Sequence, residues 1–174
     1  MNFNDKGFMR HAIEAAYKAL EEGEVPVGCV IVRDSTVVAS GWNKTNASKN
    51  ATRHAELDAI DNVLFGDTNI NTDFVPPLLH SVSVFHECDL YVTLEPCIMC
   101  SDAIRRLGFR SVTFGAWNDK FGGVGSVLNL LTDSETTFVG GVFKDEVIKM
   151  LQDFYVKGNR NCPEDKRKRV LIEA

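Results

Sequence analysis

Apolar positions fall into two rhythms along this chain, one helical and one extended. Phe8, Ile13, Ala16, Tyr17 and Leu20 recur at helical spacing over Phe8–Glu22, and Gly23 supplies a stop. Val27–Val32 is a nearly unbroken run rich in β-branched residues, the pattern of a strand buried on both faces. After the turn at Arg33-Asp34-Ser35, Thr36–Trp42 reads as its antiparallel partner. Leu57, Ile60, Val63 and Leu64 make the stripe of a second helix, expected from near Arg53 to about Phe65 with Thr52 as its cap. Leu90–Leu94 is the next buried strand. A helix follows with Pro96 in its first turn, running to about Leu107 and ending at Gly108. Ser111–Gly115 and Phe138–Gly140 read as short strands, and Val127–Leu131 as a short helix. Phe143–Val156 reads as a closing helix with Val147, Ile148, Leu151, Phe154 and Tyr155 toward the core. Strands alternating with helices predict an α/β fold, and the repeated βαβ-like units predict a largely parallel sheet with helices on its faces.

Residues 1–158 form one expected domain, and 159–174 a basic C-terminal tail; 174 residues suit a single core. Gly66–Leu79, with Pro76-Pro77, is long and polar for a connection, so 66–88 reads as a surface insertion. No stretch approaches the roughly 20 apolar residues that span a bilayer. The early acidic residues argue against a secretory signal. Five cysteines, an odd number, then predict reduced thiols in the cytoplasm, the nucleus or both. The net charge is −5, yet Lys166, Arg167, Lys168 and Arg169 crowd the C-terminal end. Such a run is a solvated tail, an import signal or a set of contacts to RNA phosphates.

The chemistry concentrates in two places. Cys97 and Cys100 stand at a Cys-x-x-Cys spacing, which alone allows a redox pair, half of a structural zinc site or part of a catalytic one. A structural site wants four protein ligands, and Cys29, Cys88 and Cys162 show no second paired spacing. With His54 the two cysteines make three ligands and leave the fourth tetrahedral position for water, whose pKa zinc lowers to about 7. Glu56 is the neighbouring proton carrier. Two residues apart on an ideal helix, His54 and Glu56 point about 200° from each other, so they serve one site only beyond the helix N-terminus. Gly123-Val-Gly125 lacks the third glycine of a dinucleotide loop and reads as a tight turn behind the site.

His54-Ala55-Glu56 with Pro96-Cys97-Ile98-Met99-Cys100 resembles the H-x-E and P-C-x-x-C signature of zinc-dependent nucleobase deaminases. Glu24-Val25-Pro26-Val27-Gly28, Gly41-Trp42-Asn43, Tyr91-Val92-Thr93-Leu94-Glu95 and Phe121–Leu128 extend the likeness to tRNA-specific adenosine deaminases that act on the wobble position. It runs from about Phe8 to Tyr155 and looks more like the eukaryotic catalytic subunit than the bacterial homodimer. The resemblance implies a three-layer α/β/α fold around a mixed five-stranded sheet, with helices on both faces. It implies one catalytic zinc on His54, Cys97 and Cys100, attack of zinc-activated water on carbon 6 of adenine, and Glu56 moving the protons. Asn43, the backbone N–H of Ala55 and Val25 would hold the base. Asn118 would face the ribose 2′-hydroxyl, where bacterial relatives carry an aspartate. A related non-catalytic deaminase subunit would be the partner in a heterodimer, with a homodimer open to the isolated chain. Two rival readings share these residues: a deaminase of a free nucleobase or nucleotide, and a non-catalytic RNA-binding subunit. Glu56 speaks against the second, since relatives in that role have lost the glutamate.

Overall fold

The computed structural model describes residues 3–66 and 82–156. Its elements in chain order are α1 (Phe3–Glu21), β1 (Gly28–Arg33), β2 (Thr36–Trp42), α2 (Ala55–Phe65), a 3-10 turn at Val82–Glu87, β3 (Cys88–Leu94), α3 (Ile98–Leu107), β4 (Ser111–Ala116), β5 (Thr137–Val139) and α4 (Lys144–Val156). The five strands form one sheet in the order β2-β1-β3-β4-β5.

Strand alternation builds both cores. Cys29 and Ile31 of β1, Leu90 and Val92 of β3, and Val112 and Phe114 of β4 face α2 and α3, where they pack with Ala59, Ile60, Val63 and Ile104. The intervening Val30, Val32 and Tyr91 face α1 and α4, against Met9, Ala12, Ile13, Ala16, Val147 and Met150. The result is three layers, with the sheet in the middle and a helix pair on each face. The inner positions of β1 and β3 meet apolar side chains on both faces, which is why their centres read as apolar runs.

The sheet is mixed rather than largely parallel. β1 is antiparallel to both β2 and β3, while β4 is parallel to β3 and β5. The β1–β2 unit is a hairpin, turned at Asp34 and Ser35 with positive φ, so the first helix-to-strand passage creates no parallel crossover. Val127–Leu131 is not a helix. Val127 and Leu128 fold back by donating their N–H groups to the Gly122 carbonyl, and Val124 bridges Asn129. The glycines that precede this stretch favour tight turns over helix nucleation. Tyr17 and Tyr155 are exposed, and Met150 takes the core position on α4.

Two features place the helices that carry the chemistry. A Cβ at Gly41 of β2 would collide with the backbone of Ala55 and Ala59, so glycine lets the start of α2 lie directly on the strand. Gly108 ends α3 in the left-handed conformation at φ 69°, and its N–H caps the Ile104 and Arg105 carbonyls.

The antiparallel placement of β1 has a consequence for the site. It brings the entrance to β1 and the exit of β2 to the same sheet end as the exits of β3 and β4, with Gly28 paired to Trp42 and Cys29 to Val92. Ligand sites of open α/β sheets lie at the carboxyl ends of parallel strands.

Candidate active site

Two helices begin at this end of the sheet, and each begins on a side chain able to bind a metal. His54 is the N-cap of α2, with φ −77° and ψ 160°, and Cys97 is the N-cap of α3, with φ −68° and ψ 168°. Both side chains turn across the gap between the two helix starts. Thr52 is therefore not the cap of α2; its hydroxyl and N–H bond Asn50 within the preceding turn. Pro96 likewise precedes the cap of α3 instead of occupying its first turn. His54 Nδ1 lies 3.5 Å from Cys97 Sγ and 3.6 Å from Cys100 Sγ. The three donor atoms all fall within 4.8 Å of one another, the one such group among the described residues. The positive ends of both helix dipoles point into this gap and favour negative charge there.

The thiols respond to that setting. Cys97 is pushed down to about 4 by the hydrogen bond from Cys100, with His54 adding to it against burial. The thiolate so formed, together with burial, holds the proton on Cys100. His54, Cys97 and Cys100 would hold a dication, whose charge would favour both cysteines as thiolates. Zinc at usual bond lengths to one nitrogen and one sulfur in a tetrahedron needs a donor separation of about 3.6 Å. The two observed nitrogen–sulfur distances meet that requirement without movement.

Glu56 occupies the first turn of α2, two residues past its cap, and is buried. Burial raises its carboxyl from 4.5 to about 7, and the negative charge of Cys97 acts in the same direction. A carboxyl poised near neutrality takes up and gives back a proton with little driving force either way.

Two other buried glutamates shape the rim. Glu24, on the link from α1 to β1, accepts hydrogen bonds from Asn43 Nδ2, Thr45 Oγ1, the N–H of Asn46 and of Ala47, and Asn46 Nδ2. Glu95, at the exit of β3, accepts from the N–H of Asn118, Val124 and Ser126 and from the Ser126 hydroxyl. Glu24 thus gathers the loop after β2, and Glu95 the glycine loop after β4. The second loop is also tied to the cysteine helix, because Ile98 donates to the Phe121 carbonyl and Cys97 bridges Gly122. The sequence reading gave neither glutamate a role. Both stood in its quoted motifs, but an acidic residue beside a strand end looks like any solvated one until its donors are known.

The remaining candidates are distributed around this framework. Asn43 is buried and its N–H donates to the Val27 carbonyl. The N–H of Lys44 donates to the Arg53 carbonyl at 3.0 Å, which places Asn43 beside the approach to His54. Lys44 Nζ and the Trp42 N–H both reach Asp58 on α2, at 2.7 and 3.3 Å, and bind the loop to that helix. Ala55 is the buried first residue of α2, a position whose N–H has no partner inside the helix. Val25 is half-buried next to Glu24. Asn118 is half-buried, and its Oδ1 accepts from the Phe121 N–H at 3.2 Å. Lys166, Arg167, Lys168 and Arg169 lie outside the described residues, as does most of the 66–88 insertion.

Residues 3–116 match the cytidine and deoxycytidylate deaminase zinc-binding region. The chain is 42% identical to the tRNA-specific adenosine deaminase 2 of Xenopus tropicalis, over 92% of this chain and 94% of that protein. The chain belongs to the tRNA-specific adenosine deaminases. A further member of the family, the tRNA-specific adenosine deaminase subunit tad2 of Schizosaccharomyces pombe, is 39% identical over 94% of this chain and 41% of its own length. A solved structure from work on A-to-I editing by tRNA deaminases at the wobble position of transfer RNA superposes with a TM-score of 0.68 at 30% identity. It covers 83% of this chain and 98% of its own. As a member of this deaminase family, the chain has zinc as its cofactor, in keeping with the donor set and its spacing.

Proposed function

We propose that the protein hydrolyses adenosine to inosine and ammonia at the wobble position of tRNA. The observation that carries this is Glu56, buried and raised to about 7, beside a His54–Cys97–Cys100 set spaced for zinc. Similarity to deaminases named for tRNA adenosine supports the substrate. When bound, zinc supplies Lewis acidity that makes a water molecule nucleophilic at neutral pH. Glu56 accepts a proton from that water as its oxygen attacks carbon 6, returns it to the ring nitrogen, and passes the second proton to the departing amine. Atoms balance as adenosine and water in, inosine and ammonia out. The N–H of Ala55, at a position with no partner inside the helix, donates to the substrate from the helix start. Asn43 reads a polar edge of the flipped nucleoside, and Val25 packs on the base. Asn118 meets the ribose 2′-hydroxyl, where an amide both donates and accepts.

The net charge of −5 fits poorly with unaided binding of folded RNA. A related non-catalytic deaminase subunit therefore supplies basic surface in a heterodimer, with a homodimer open to the isolated chain, and the Lys166–Arg169 run adds phosphate contacts. Exposed Ile98, Met99, Phe121 and Leu128 flank the cysteine helix and give such a partner an apolar footing. No helix among the described residues is long and apolar enough to cross a membrane. The enzyme works in the cytoplasm, the nucleus or both. The test is inosine formation from tRNA, free adenosine and free cytidine, with and without the co-expressed partner. Turnover of tRNA alone supports the reading. Turnover of a free nucleoside with tRNA untouched replaces it by the small-molecule one.

A further inference from the structure

Glu24 does more than close a loop. Its Oε1 takes the backbone N–H groups of Asn46 and Ala47 at 2.8 and 2.7 Å. Its Oε2 takes Asn46 Nδ2 at 2.6 Å, Asn43 Nδ2 at 3.2 Å and the Thr45 hydroxyl at 3.4 Å. A carboxylate only accepts, so the half of the Asn43 amide that faces Glu24 must be its NH2. Asn43 Nδ2 also lies 3.4 Å from Thr45 Oγ1, whose own hydrogen is committed to Glu24 and whose lone pairs are open to the amide. Both amide hydrogens thus find acceptors within the loop. The polar atom left for the substrate is Oδ1.

The geometry points to Glu24 as a positioning residue that sets the polarity of Asn43, making it a hydrogen-bond acceptor toward the substrate. The inference rests on the reading of Asn43 as a substrate contact. It adds that the group Asn43 reads is a donor, an amine or a hydroxyl of the nucleoside. A buried acceptor discriminates strongly against a ligand that offers no donor, because the acceptor is then left unpaired.

Isosteric exchange of donor and acceptor tests this. In Glu24→Gln the oxygen stays on the backbone N–H groups of Asn46 and Ala47, and the new amide faces Asn43. Donor then meets donor at Asn46 and at Asn43; the exposed Asn46 amide turns over to accept, and Asn43 turns its NH2 toward the substrate. KM for tRNA rises by about 10- to 100-fold, with kcat changed less and zinc content and Tm close to wild type. Asn43→Asp, which sets two carboxylates against each other, is impaired as well. The double variant Glu24→Gln/Asn43→Asp restores an acceptor held by a donor, and its KM returns to within about threefold of wild type. A purely structural role for Glu24 would give no such rescue. An unchanged KM in zinc-loaded Glu24→Gln overturns the inference, as does a folded double variant no better than the worse single. If Glu24→Gln does not fold, the double variant alone decides by the same threefold criterion. Asn43→Ala separates the two layers: an unchanged KM removes the substrate contact itself. Impaired Asn43→Ala beside unimpaired Glu24→Gln removes only the positioning role.

Discussion

The catalytic pocket and its rim each bury glutamate, with opposite results. Glu56 is 3% exposed, and Glu24 and Glu95 are each 1% exposed. The rim carboxylates are saturated: five hydrogen bonds reach Glu24 and four reach Glu95. Glu56 lacks that cage, and desolvation dominates and lifts its carboxyl to about 7. Burial alone therefore does not decide what a glutamate becomes. The donors aimed at it matter too: those around Glu24 and Glu95 tie two loops to the sheet end, whereas at Glu56 desolvation is the largest influence on the carboxyl.

The same substitution at each position breaks this comparison most sharply. Glu56→Gln is expected to lower inosine formation by at least about 10³-fold, with zinc retained and the unfolding free energy equal or higher, since a neutral amide ends the cost of a desolvated charge. Activity within tenfold of wild type, assayed on tRNA, would show that Glu56 moves no proton. Removing zinc with a strong chelator, or replacing Cys97 by alanine, abolishes turnover and lowers Tm as two helix starts lose their common anchor; an unchanged Tm on chelation contradicts that anchoring. Glu95→Ala has the reverse profile from Glu56→Gln. It strands the N–H groups of buried Val124 and half-buried Ser126, costs about 2 kcal/mol in urea unfolding, and loosens the loop that carries Asn118. A loss under 1 kcal/mol would mean that water replaces the cage.

Smaller effects sharpen the placement of the two regions. Gly41→Ala drives a methyl into the backbone of Ala55 and Ala59, costs about 1–3 kcal/mol, and raises KM by shifting the start of α2. Unaltered kinetics at reduced stability would show that the shift is absorbed elsewhere. The weakest effect belongs to Asp89, far from the pocket. Burial opposes its ionisation, but bonds from Arg110 and Ser111 outweigh it and hold the carboxyl below its usual range. Its contribution is complete above about pH 4, the unfolded value, and declines as pH falls through the lower folded one. Asp89→Asn should flatten the acid limb of the stability curve slightly, and an identical limb would cancel that assignment.

Local pattern carried much of this molecule. The β-branched run at Val27–Val32, the stripe on α2, and Gly108 as a stop are visible because period and terminator agree at those points. His54, Cys97 and Cys100, which the fold brings within 4.8 Å of one another, stood out as candidates together with Glu56 because few other uses call for those side chains at that spacing. The mistakes share one cause. Thr52 has good capping chemistry, but the chain turns once more and His54 takes the cap. Val127–Leu131 has helical composition, but Gly122 supplies a carbonyl that folds it back. Strand–helix alternation suggests parallel strands, yet the β1–β2 hairpin reverses β1 against β3.

By itself, then, the amino-acid order determined most of the helices and strands and which side chains are candidates to hold metal and move protons, because those follow from local periodicity and the chemistry of each residue. Tertiary structure decided that Glu24 meets Asn43 and that Glu95 meets Asn118. Their separations along the chain say nothing of it, since the antiparallel register of β1 against β3 draws four strand ends to one edge. It also decided what each buried glutamate does, because the donors around a carboxylate come from loops distant in sequence, and only the folded chain counts them.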